Sequence, residues 1–346
     1  MTVTAPNPAP AAEVSKSSGT RLVDRVFKMR ELAILAVFLV MIVITQLGNS
    51  EFLSEQGIKD LLLNATILVL VAAGQSLVVI TRNVDLSVGS TLGISAFAAG
   101  VYLQGGGNPV VALVLAVLLG IGCGLVNGLL VSLGQVPALV VTLGTLYIIR
   151  GIDSIWVGSR QITAANLPDS FIDFGSGGIS AVPYLALIAV VVVVVTAYYL
   201  KHFGSGRELY ALGSNPEAAR LAGIPVRKRT LTAYVVCGGL AGLAGALYLA
   251  RFGNVDSGTG NGYELTVVSA VVVGGVVFTG GSGSVYGAAL GALLLTSINS
   301  VLPALGVSSV WVLAINGILL ILAIAVDRIV ALRVATALKK RNARHG

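Results

Sequence analysis

The sequence predicts an all-α, polytopic membrane protein with about ten transmembrane helices and with both termini in the cytoplasm. Of its 346 residues, 55% are hydrophobic and 11% are charged, and the mean hydropathy is +0.92, which excludes an ordinary water-soluble domain. The charges are also clustered, because residues 231–326 contain only Arg251, Asp256 and Glu264. Such stretches are long enough to cross a hydrocarbon core of roughly 30 Å. The net charge of +7 therefore indicates topology and not nucleic-acid binding.

Ten apolar runs along the chain predict the ten spans. The most β-branched run, residues 188–195, favours a strand by local propensity, but Tyr198 and Lys201 close it like a helix that ends at a membrane interface. We therefore predict a helix there. Glycines spaced four residues apart, among them Gly120 and Gly124, predict closely packed helices. The expected spans lie near residues 31–48, 59–80, 86–104, 110–133, 138–156, 183–200, 231–250, 263–279, 285–302 and 310–330.

Basic residues set the orientation of these spans, because Lys and Arg are retained on the cytoplasmic side. We expect a disordered cytoplasmic tail at 1–30, a membrane domain at 31–332 and a basic cytoplasmic tail at 333–346. Arg82 and the loop 201–230 should also be cytoplasmic, and six spans before that loop and four after it satisfy all these positions. A cleaved signal peptide is the alternative for the amino terminus, but the first apolar run is long enough to span and lacks a clear cleavage site.

The large basic loop carries a short helix with clear end signals. Ser214 and Asn215 are residue types that cap helix amino termini, and Pro216 suits the first helical position. Gly223 ends the helix after about two turns. An exposed, capped helix in the largest basic loop of a membrane protein indicates mechanical coupling to a soluble partner. The residues that we assign to this coupling are Asn215, Pro216, Glu217, Ala218, Ala219 and Gly223.

Polar side chains within or beside the apolar runs are the candidates for a solute path. Asp85 lies between two runs, where it could cap the third span with Arg82 as its counter-ion, so a structural turn and a gate both remain open. Most of the others are neutral hydrogen-bonding residues that suit an uncharged, hydroxylated solute, although each alone more often joins helices. The runs show no relay of carboxylates, which argues against a proton-driven pump. We assign the path or gate to Gln75, Asp85, Ser87, Asn127, Thr142, Thr145 and Asn299.

Several motifs together give the chain a resemblance to the permease subunits of bacterial ABC importers for sugars, in the branch of ribose, rhamnose and autoinducer-2. The resemblance covers nearly the whole chain after the amino-terminal tail. Arg82 and Asn83 depart from the Gly-Gly pair often found in ribose-type members, which favours the autoinducer and rhamnose members. The segments that carry the resemblance are 81–90 (TRNVDLSVGS), 124–131 (GLVNGLLV), 137–151, 213–224 (GSNPEAARLAGI) and 280–287 (GGSGSVYG).

The resemblance implies a dimer, with itself or with a close relative, of ten-span subunits in the lipid of the bacterial inner membrane. It also implies two cytoplasmic ATPase subunits and an extracytoplasmic solute-binding protein as partners. Glu217, Ala218, Ala219 and Gly223 match the short EAA-type motif that such permeases present to the ATPase, so the loop helix would be the coupling helix. No cofactor, metal or nucleic acid is expected.

The chain is not expected to be an enzyme. A phosphate-binding loop requires Gly immediately before its Lys, and none of the seven lysines follows a glycine. A separate subunit would therefore hydrolyse ATP. A secondary sugar transporter would share the composition, but it would be expected to show an acid or a cation site in the membrane, and we identify no such site in the apolar runs. An intramembrane protease is suggested by residues 280–283, but His202 and His345, the histidines of the chain, lie in the predicted cytoplasmic flanks.

Overall fold

The structure, a computed structural model, describes residues 18–304 and scattered positions between 306 and 325. Residues 1–17 and the predicted tail 333–346 lie outside the described residues, and the predicted tenth span falls where only scattered positions are described. The helices within residues 18–304 are α1 (Ser18–Gly48), α2 (Glu55–Ile80), α3 (Val88–Gln104), α4 (Pro109–Ser132), α5 (Ala138–Val157), α6 (Asp169–Ser176), α7 (Tyr184–His202), α8 (Gly204–Ser214), α9 (Pro216–Leu221), α10 (Val226–Phe252), α11 (Tyr263–Val273) and α12 (Val285–Ala304). A hairpin pairs β1 (Gly178–Ile179) with β2 (Val182–Pro183).

Apolar helices occur at the nine predicted spans that fall within residues 18–304. Six helices in the described part have the length and composition to cross a membrane, namely α2, α4, α5, α7, α10 and α12. The β-branched run is helical within α7, as predicted. Three shorter helices are also apolar: α3, α11 and the Ile34–Gly48 part of α1. The all-α class is therefore confirmed for the part of the chain that the structure describes.

Helix α10 is the centre of the bundle. It packs against α4, α3 and α2. Helix α2 runs antiparallel to it, since Arg251 near the end of α10 donates to Asp60 near the start of α2 (2.8 Å). In the most apolar 18-residue stretch of α2, 94% of the residues are buried, whereas the corresponding values are 22% for α4 and 28% for α5. Large apolar side chains of α4 and α5 are consequently exposed, as expected of helices that contact lipid or another chain.

Glycines allow α4 and α10 to approach to backbone contact. A Cβ at Gly238 would lie 2.2 Å from Gly120 O, and one at Gly124 would lie 2.2 Å from Tyr234 O. A larger side chain at either place would push the helices apart. The four-residue glycine spacing predicts this packing correctly, because small residues let membrane helices gain close van der Waals contact.

Three features differ from the sequence prediction. Helix α1 begins at Ser18, so part of the stretch expected to be a disordered tail is helical. Helix α11 ends at Val273 instead of near residue 279, and its 11 residues are roughly 16 Å long, too short for a core of roughly 30 Å. Gly275, with φ +93°, ends it by leaving the helical conformation. Between α5 and α7 the chain forms α6 and the hairpin, which are too short to show in the apolar pattern.

We expect Gly238→Val to destabilise the protein by about 1–3 kcal/mol, because the new side chain overpacks the contact with Gly120. The thermal unfolding midpoint in mild detergent, read from the loss of the monodisperse chromatographic peak, measures this. Gly122→Val is the matched control, since a Cβ at Gly122 on α4 has nothing within 4 Å. Equal midpoints for the two variants would contradict the close α4–α10 contact.

Candidate functional site

The predicted coupling loop is built from two consecutive short helices, α8 and α9. Asn215 separates them with an extended backbone and caps α9, since its Oδ1 accepts a hydrogen bond from Ala218 N (3.1 Å). Pro216 is the first residue of α9, as predicted. Gly223, with φ +80°, terminates the turn that follows. Ser214, which the sequence also suggests as a cap, is instead the last residue of α8.

Most of the surface of α9 is exposed. Its buried residue is Ala219, whereas Glu217, Ala218 and Arg220 are exposed. Leu221, at the end of the helix, is 84% exposed. Glu217 and Arg220 pair with each other at 3.0 Å on the surface, a contact of little worth in water. The helix therefore presents one large apolar side chain beside a balanced pair of charges.

A backbone junction joins this loop to the ends of membrane helices. Gly281 N donates to Ile80 O (2.8 Å), which links the α11–α12 connection to the end of α2. Gly213 of α8 lies against the same carbonyl, so that a Cβ there would be 1.7 Å from Ile80 O. A Cβ at Gly281 would meet Ser214 N at 2.6 Å. We call Ile80, Gly213, Ser214 and Gly281 the glycine junction.

Two side chains reinforce the glycine junction. Tyr210 of α8 donates its hydroxyl to Gly283 O (3.0 Å). Burial raises the pKa of Tyr210 to about 12, so its hydroxyl remains a donor at physiological pH. Arg82 donates from Nε to Thr279 O (2.6 Å). The prediction that Arg82 is the counter-ion of Asp85 is corrected here, because its backbone is left-handed (φ +65°) and its guanidinium contacts the α11–α12 connection instead.

A cleft of about 540 Å³ lies beside the glycine junction. Thr81, at the end of α2, and Pro137, before α5, form part of its lining. The charged side chains of its lining are Arg82, Glu217, Arg220 and Arg227. Three cations against one anion make the surface around α9 positive.

Asp85 lies in a buried polar network in the connection between α2 and α3. Its Oδ1 accepts hydrogen bonds from Ser87 N (2.9 Å) and Ser87 Oγ (2.7 Å). Asn127 Nδ2 donates to Asp85 Oδ1 (3.3 Å) and to Ser87 Oγ (2.8 Å). Ser87, and not Asp85 as predicted, occupies the N-cap position of α3. Asp85 therefore fixes the turn that leads into α3 and ties it to α4.

Three further side chains complete this network. In the orientation that satisfies both groups, the Gln75 amide accepts from Asp85 N (3.1 Å) and donates to Asp85 O (3.3 Å). Thr142 Oγ1 and Tyr234 Oη both donate to Val84 O, at 3.3 and 3.2 Å. The structure thus brings together five of the seven residues predicted for the path, all of them buried: Gln75, Asp85, Ser87, Asn127 and Thr142.

The other two predicted path residues lie outside the Asp85 network. Thr145 is one turn further along α5 and donates to Thr142 O (3.3 Å). Asn299 of α12 lines a separate cleft of about 420 Å³, together with the α1–α2 connection. Its Oδ1 is buried and has no hydrogen-bond partner among the described residues. The set predicted as one path is therefore divided between two regions of the bundle.

Comparison with known proteins assigns the chain to a family. The family described as the permease component of the branched-chain amino acid transport system matches residues 57–324. The chain belongs to this permease family. This permease is 37% identical over 296 residues to the autoinducer 2 import system permease protein LsrC of Enterobacter sp. (strain 638), which covers 86% of this chain and 84% of the relative.

Two further relatives carry the same name. The permease is 38% identical over 276 residues to LsrC of Salmonella paratyphi B (strain ATCC BAA-1250 / SPB7), with 79% of this chain and 78% of the relative covered. It is 35% identical over 298 residues to LsrC of Escherichia coli O157:H7, with 86% of each chain covered. No solved structure matches it. These findings confirm the resemblance to sugar-type ABC permeases and the prediction that the chain is a transport component and not an enzyme.

The close approach of Gly213 and Gly281 to Ile80 could not be read from the sequence of the permease. Gly280 and Gly281 carry the family resemblance, but the sequence does not say which backbone they meet. A Gly-Gly pair directly after an apolar run is itself a signal for a tight turn or a close backbone approach. Leu221 is also missed, although a large apolar residue at the end of an otherwise polar two-turn helix is a signal for a contact surface.

We expect Asn127→Asp to destabilise the permease by about 3–5 kcal/mol, because it replaces a buried donor to Asp85 with a second carboxylate. Thermal unfolding in detergent measures the loss. Asn108→Asp is the matched control on the same helix, since Asn108 is an exposed N-cap of α4 and Asp caps helices as well as Asn does. An unfolding midpoint of the Asn127 variant at or above that of the control would contradict the buried Asp85 network.

Proposed function

We propose that this permease is the membrane subunit of an ABC importer that carries autoinducer-2, or a small neutral sugar such as rhamnose or ribose, across the bacterial inner membrane. Relatives with 35–38% identity over most of the chain are named as autoinducer 2 import permeases. Similarity that extends over most of the length of both chains favours a common transport role. A separate ATPase subunit would supply the energy.

The observation that carries this proposal is the exposed helix α9, held by the glycine junction. A helix through which a motor drives transport must be attached rigidly to the membrane helices that move. Here α8 ends in the same backbone contacts that hold the end of α2 and the α11–α12 connection. Leu221 would anchor the helix in a groove of the ATPase. The other residues that we assign to this contact are Asn215, Pro216, Glu217, Ala218, Ala219 and Gly223.

The charges around α9 predict the charge of the ATPase surface that would bind there. Arg82, Arg220 and Arg227 line the adjoining cleft, so an ATPase surface with acidic side chains would complement it. The same cations support a cytoplasmic location for this end of the bundle, and with it cytoplasmic termini.

The remaining partners follow from the other surfaces. The exposed apolar sides of α4 and α5 suit a second permease chain, identical or closely related, as well as lipid. Solute would arrive from an extracytoplasmic binding protein at the end opposite α9, where α6 and the β1–β2 hairpin lie. In this arrangement, the ATPase pair would draw the two α9 helices together and turn the cavity between the permease chains from one face to the other.

A secondary sugar transporter is the competing function, and one observation favours it. Asp153 of α5 is fully buried, and so is one carboxylate oxygen of Glu264 at the start of α11. A carrier could use such carboxylates to bind a coupling cation. The exposed helix α9 favours the importer, because a secondary carrier does not require a docking helix for a motor.

Transport assays distinguish the two functions. We would purify the permease from its native membrane in mild detergent, identify the proteins that accompany it by mass spectrometry, and reconstitute the complex with its binding protein. We expect a stoichiometric ATPase subunit and autoinducer-2 uptake that requires ATP, with rhamnose and ribose tested as competitors. Uptake that is driven by a Na⁺ or H⁺ gradient without ATP would overturn the importer in favour of the carrier.

We expect Leu221→Asp to weaken ATPase association at least about tenfold, because a buried leucine contributes roughly 1.5–3 kcal/mol and about 1.4 kcal/mol is a factor of ten. The amount of ATPase retained by immobilised permease measures this. Ile179→Asp is the control, since Ile179 of β1 is also an exposed apolar residue (66% exposed) but lies at the opposite end of the bundle. Equal retention by both variants would exclude α9 as the docking helix.

A further inference from the structure

The connection between α10 and α11 is an irregular segment that packs against α3. Helix α10 has 27 residues, enough to cross the membrane, and residues 253–262 then run back along α3. At the start of this segment, Val255 pairs with Ile162 through two backbone hydrogen bonds (2.9 and 3.1 Å). Ile162 in turn lies against α3, where a Cβ at Gly100 would be 2.9 Å from its Cγ1. The segment therefore begins at the level of the last turns of α3.

Further along, the segment touches the first turns of α3. A Cβ at Gly93 would lie 2.4 Å from Thr259 O, and a Cβ at Gly89 would lie 2.5 Å from Gly260 O. Gly89 and Gly100 are roughly 16 Å apart along the axis of α3, about half of a hydrocarbon core of roughly 30 Å. Irregular backbone at such depth is stable only where protein buries it or where it lines a water-filled cavity.

Exposed polar side chains lie along the segment, among them Asn254, Asp256 and Asn261. A carboxylate is costly wherever it faces the hydrocarbon core, so we expect these side chains to face water or protein. Helix α11 also begins here, preceded by Gly262 with φ +79° and without a side-chain cap. The amino terminus of this half-length helix leaves backbone N–H groups unpaired within the helix, as in transporters whose interrupted helices line a solute path.

Buried acidic groups lie next to the segment. Asp153 of α5 is 0% exposed, and neither of its carboxylate oxygens has a hydrogen-bond partner in the described part of the chain. Arg150 and Asp256 are the charged groups that act on it. Arg150 also donates to Thr259 O (2.7 Å), which ties α5 to the segment. Glu264 Oε2 is likewise buried and unpartnered among the described residues. Since buried polar groups are nearly always hydrogen-bonded, these two carboxylates are free to accept hydrogen bonds from a bound polar group.

We propose that Arg150, Asp153 and Glu264, together with residues 253–262, form a binding site within the membrane for a neutral, polyhydroxylated solute. This inference rests on the proposed function and adds the place at which the solute is held in transit. Carboxylate oxygens accept hydrogen bonds from hydroxyl groups, and a guanidinium donates to hydroxyl oxygens. These three side chains can therefore pair with the hydroxyl groups of a solute both as donors and as acceptors. The carboxylate of Asp85, in contrast, is already hydrogen-bonded within its own network.

A cation fits this site less well than a hydroxylated solute. Arg150 already places a positive charge beside Asp153. Moreover, the part of the chain that the structure describes contains no group of three His, Cys, Asp or Glu side chains arranged to hold a metal ion. The exposed Asp256 accepts hydrogen bonds from Gly258 N (2.9 Å) and Thr259 Oγ1 (3.2 Å), so its carboxylate holds the turn of the segment.

Cysteine labelling tests whether water reaches the segment, whatever the solute is. We would introduce Asn261→Cys into the complete complex in membrane vesicles and treat it with a water-soluble methanethiosulfonate, which reacts with the thiolate. We expect it to react at least about tenfold faster than Val190→Cys, placed on the exposed apolar face of α7 (58% exposed). The unsubstituted chain, with Cys123 and Cys237, supplies the background rate. Equally slow reaction of both variants would overturn the proposed site.

Uptake kinetics test the binding groups themselves. In proteoliposomes with the complete importer, we expect Asp153→Asn and Glu264→Gln each to raise the KM for autoinducer-2 about tenfold to hundredfold, because each weakens hydrogen bonds to a charged group. Val191→Ala, on the exposed apolar face of α7 (59% exposed), should leave it unchanged. The unfolding midpoint of Asp153→Asn should not fall, since this variant removes an unpaired buried charge.

The possible failures are distinguishable. If the wild-type complex transports autoinducer-2 and the two variants keep its KM, the binding site is wrong while the importer function stands. If the wild-type complex transports neither autoinducer-2 nor the competing sugars, the proposed function is wrong. In that case rapid, solute-independent labelling of Asn261→Cys still supports a water-lined segment, and slow labelling rejects it.

Discussion

Direct contact between backbones is the constraint on which the rest of this structure depends. In the core, Gly120 and Gly238 bring α4 and α10 together, and at one end the glycine junction joins α2, α8 and the α11–α12 connection. Lipid is as apolar as a leucine side chain, so membrane helices gain little from the hydrophobic effect when they associate. Close van der Waals contact between the backbones stabilises the association instead, and such contact requires residues without a Cβ atom. This is one physical reason for a chain with 43 glycines.

The same constraint explains how a small exposed helix could drive a large bundle. Packed backbones have no long side chains that could adapt to a displacement, so a movement of α8 is passed on to the end of α2 instead of being absorbed. The side-chain ties from Tyr210 and Arg82 act in the same direction, because each joins α8 or α2 to the α11–α12 connection. Helix α9 itself contributes little to this attachment, since most of its side chains are exposed. Docking and force transmission are thus separate tasks of neighbouring residues.

Features that depend on residues close together in the sequence could be predicted here, whereas features that depend on contacts between distant segments could not. The apolar runs, the glycine spacing and the caps of α9 depend on residues within a few turns of one another, so these elements could be predicted. The partner of Arg82 lies 197 residues away, and its left-handed backbone leaves no sign in the composition. Helix α11 is shorter than its apolar run because Gly274 and Gly275 turn the chain against α12. The unpartnered Asp153 could have been noticed as an acid within a predicted span, but its burial depends on the helices that pack around α5.

Two interruptions of the helical bundle meet at the amino-terminal end of α3, and this meeting connects the coupling loop to the segment 253–262. The α2–α3 connection enters from the end that carries the glycine junction, and the α10–α11 segment enters from the opposite end, since α2 and α10 are antiparallel. Asp85 holds the first connection against α4, while Gly89 contacts the second at Gly260. A displacement of Ile80 would therefore reach α3 through seven residues of tightly bonded chain, and α3 is in backbone contact with the segment. This unbroken series of contacts supplies a physical route for coupling between the α9 docking site and the segment 253–262. Such coupling would be measured as a change in solute affinity when the ATPase docks.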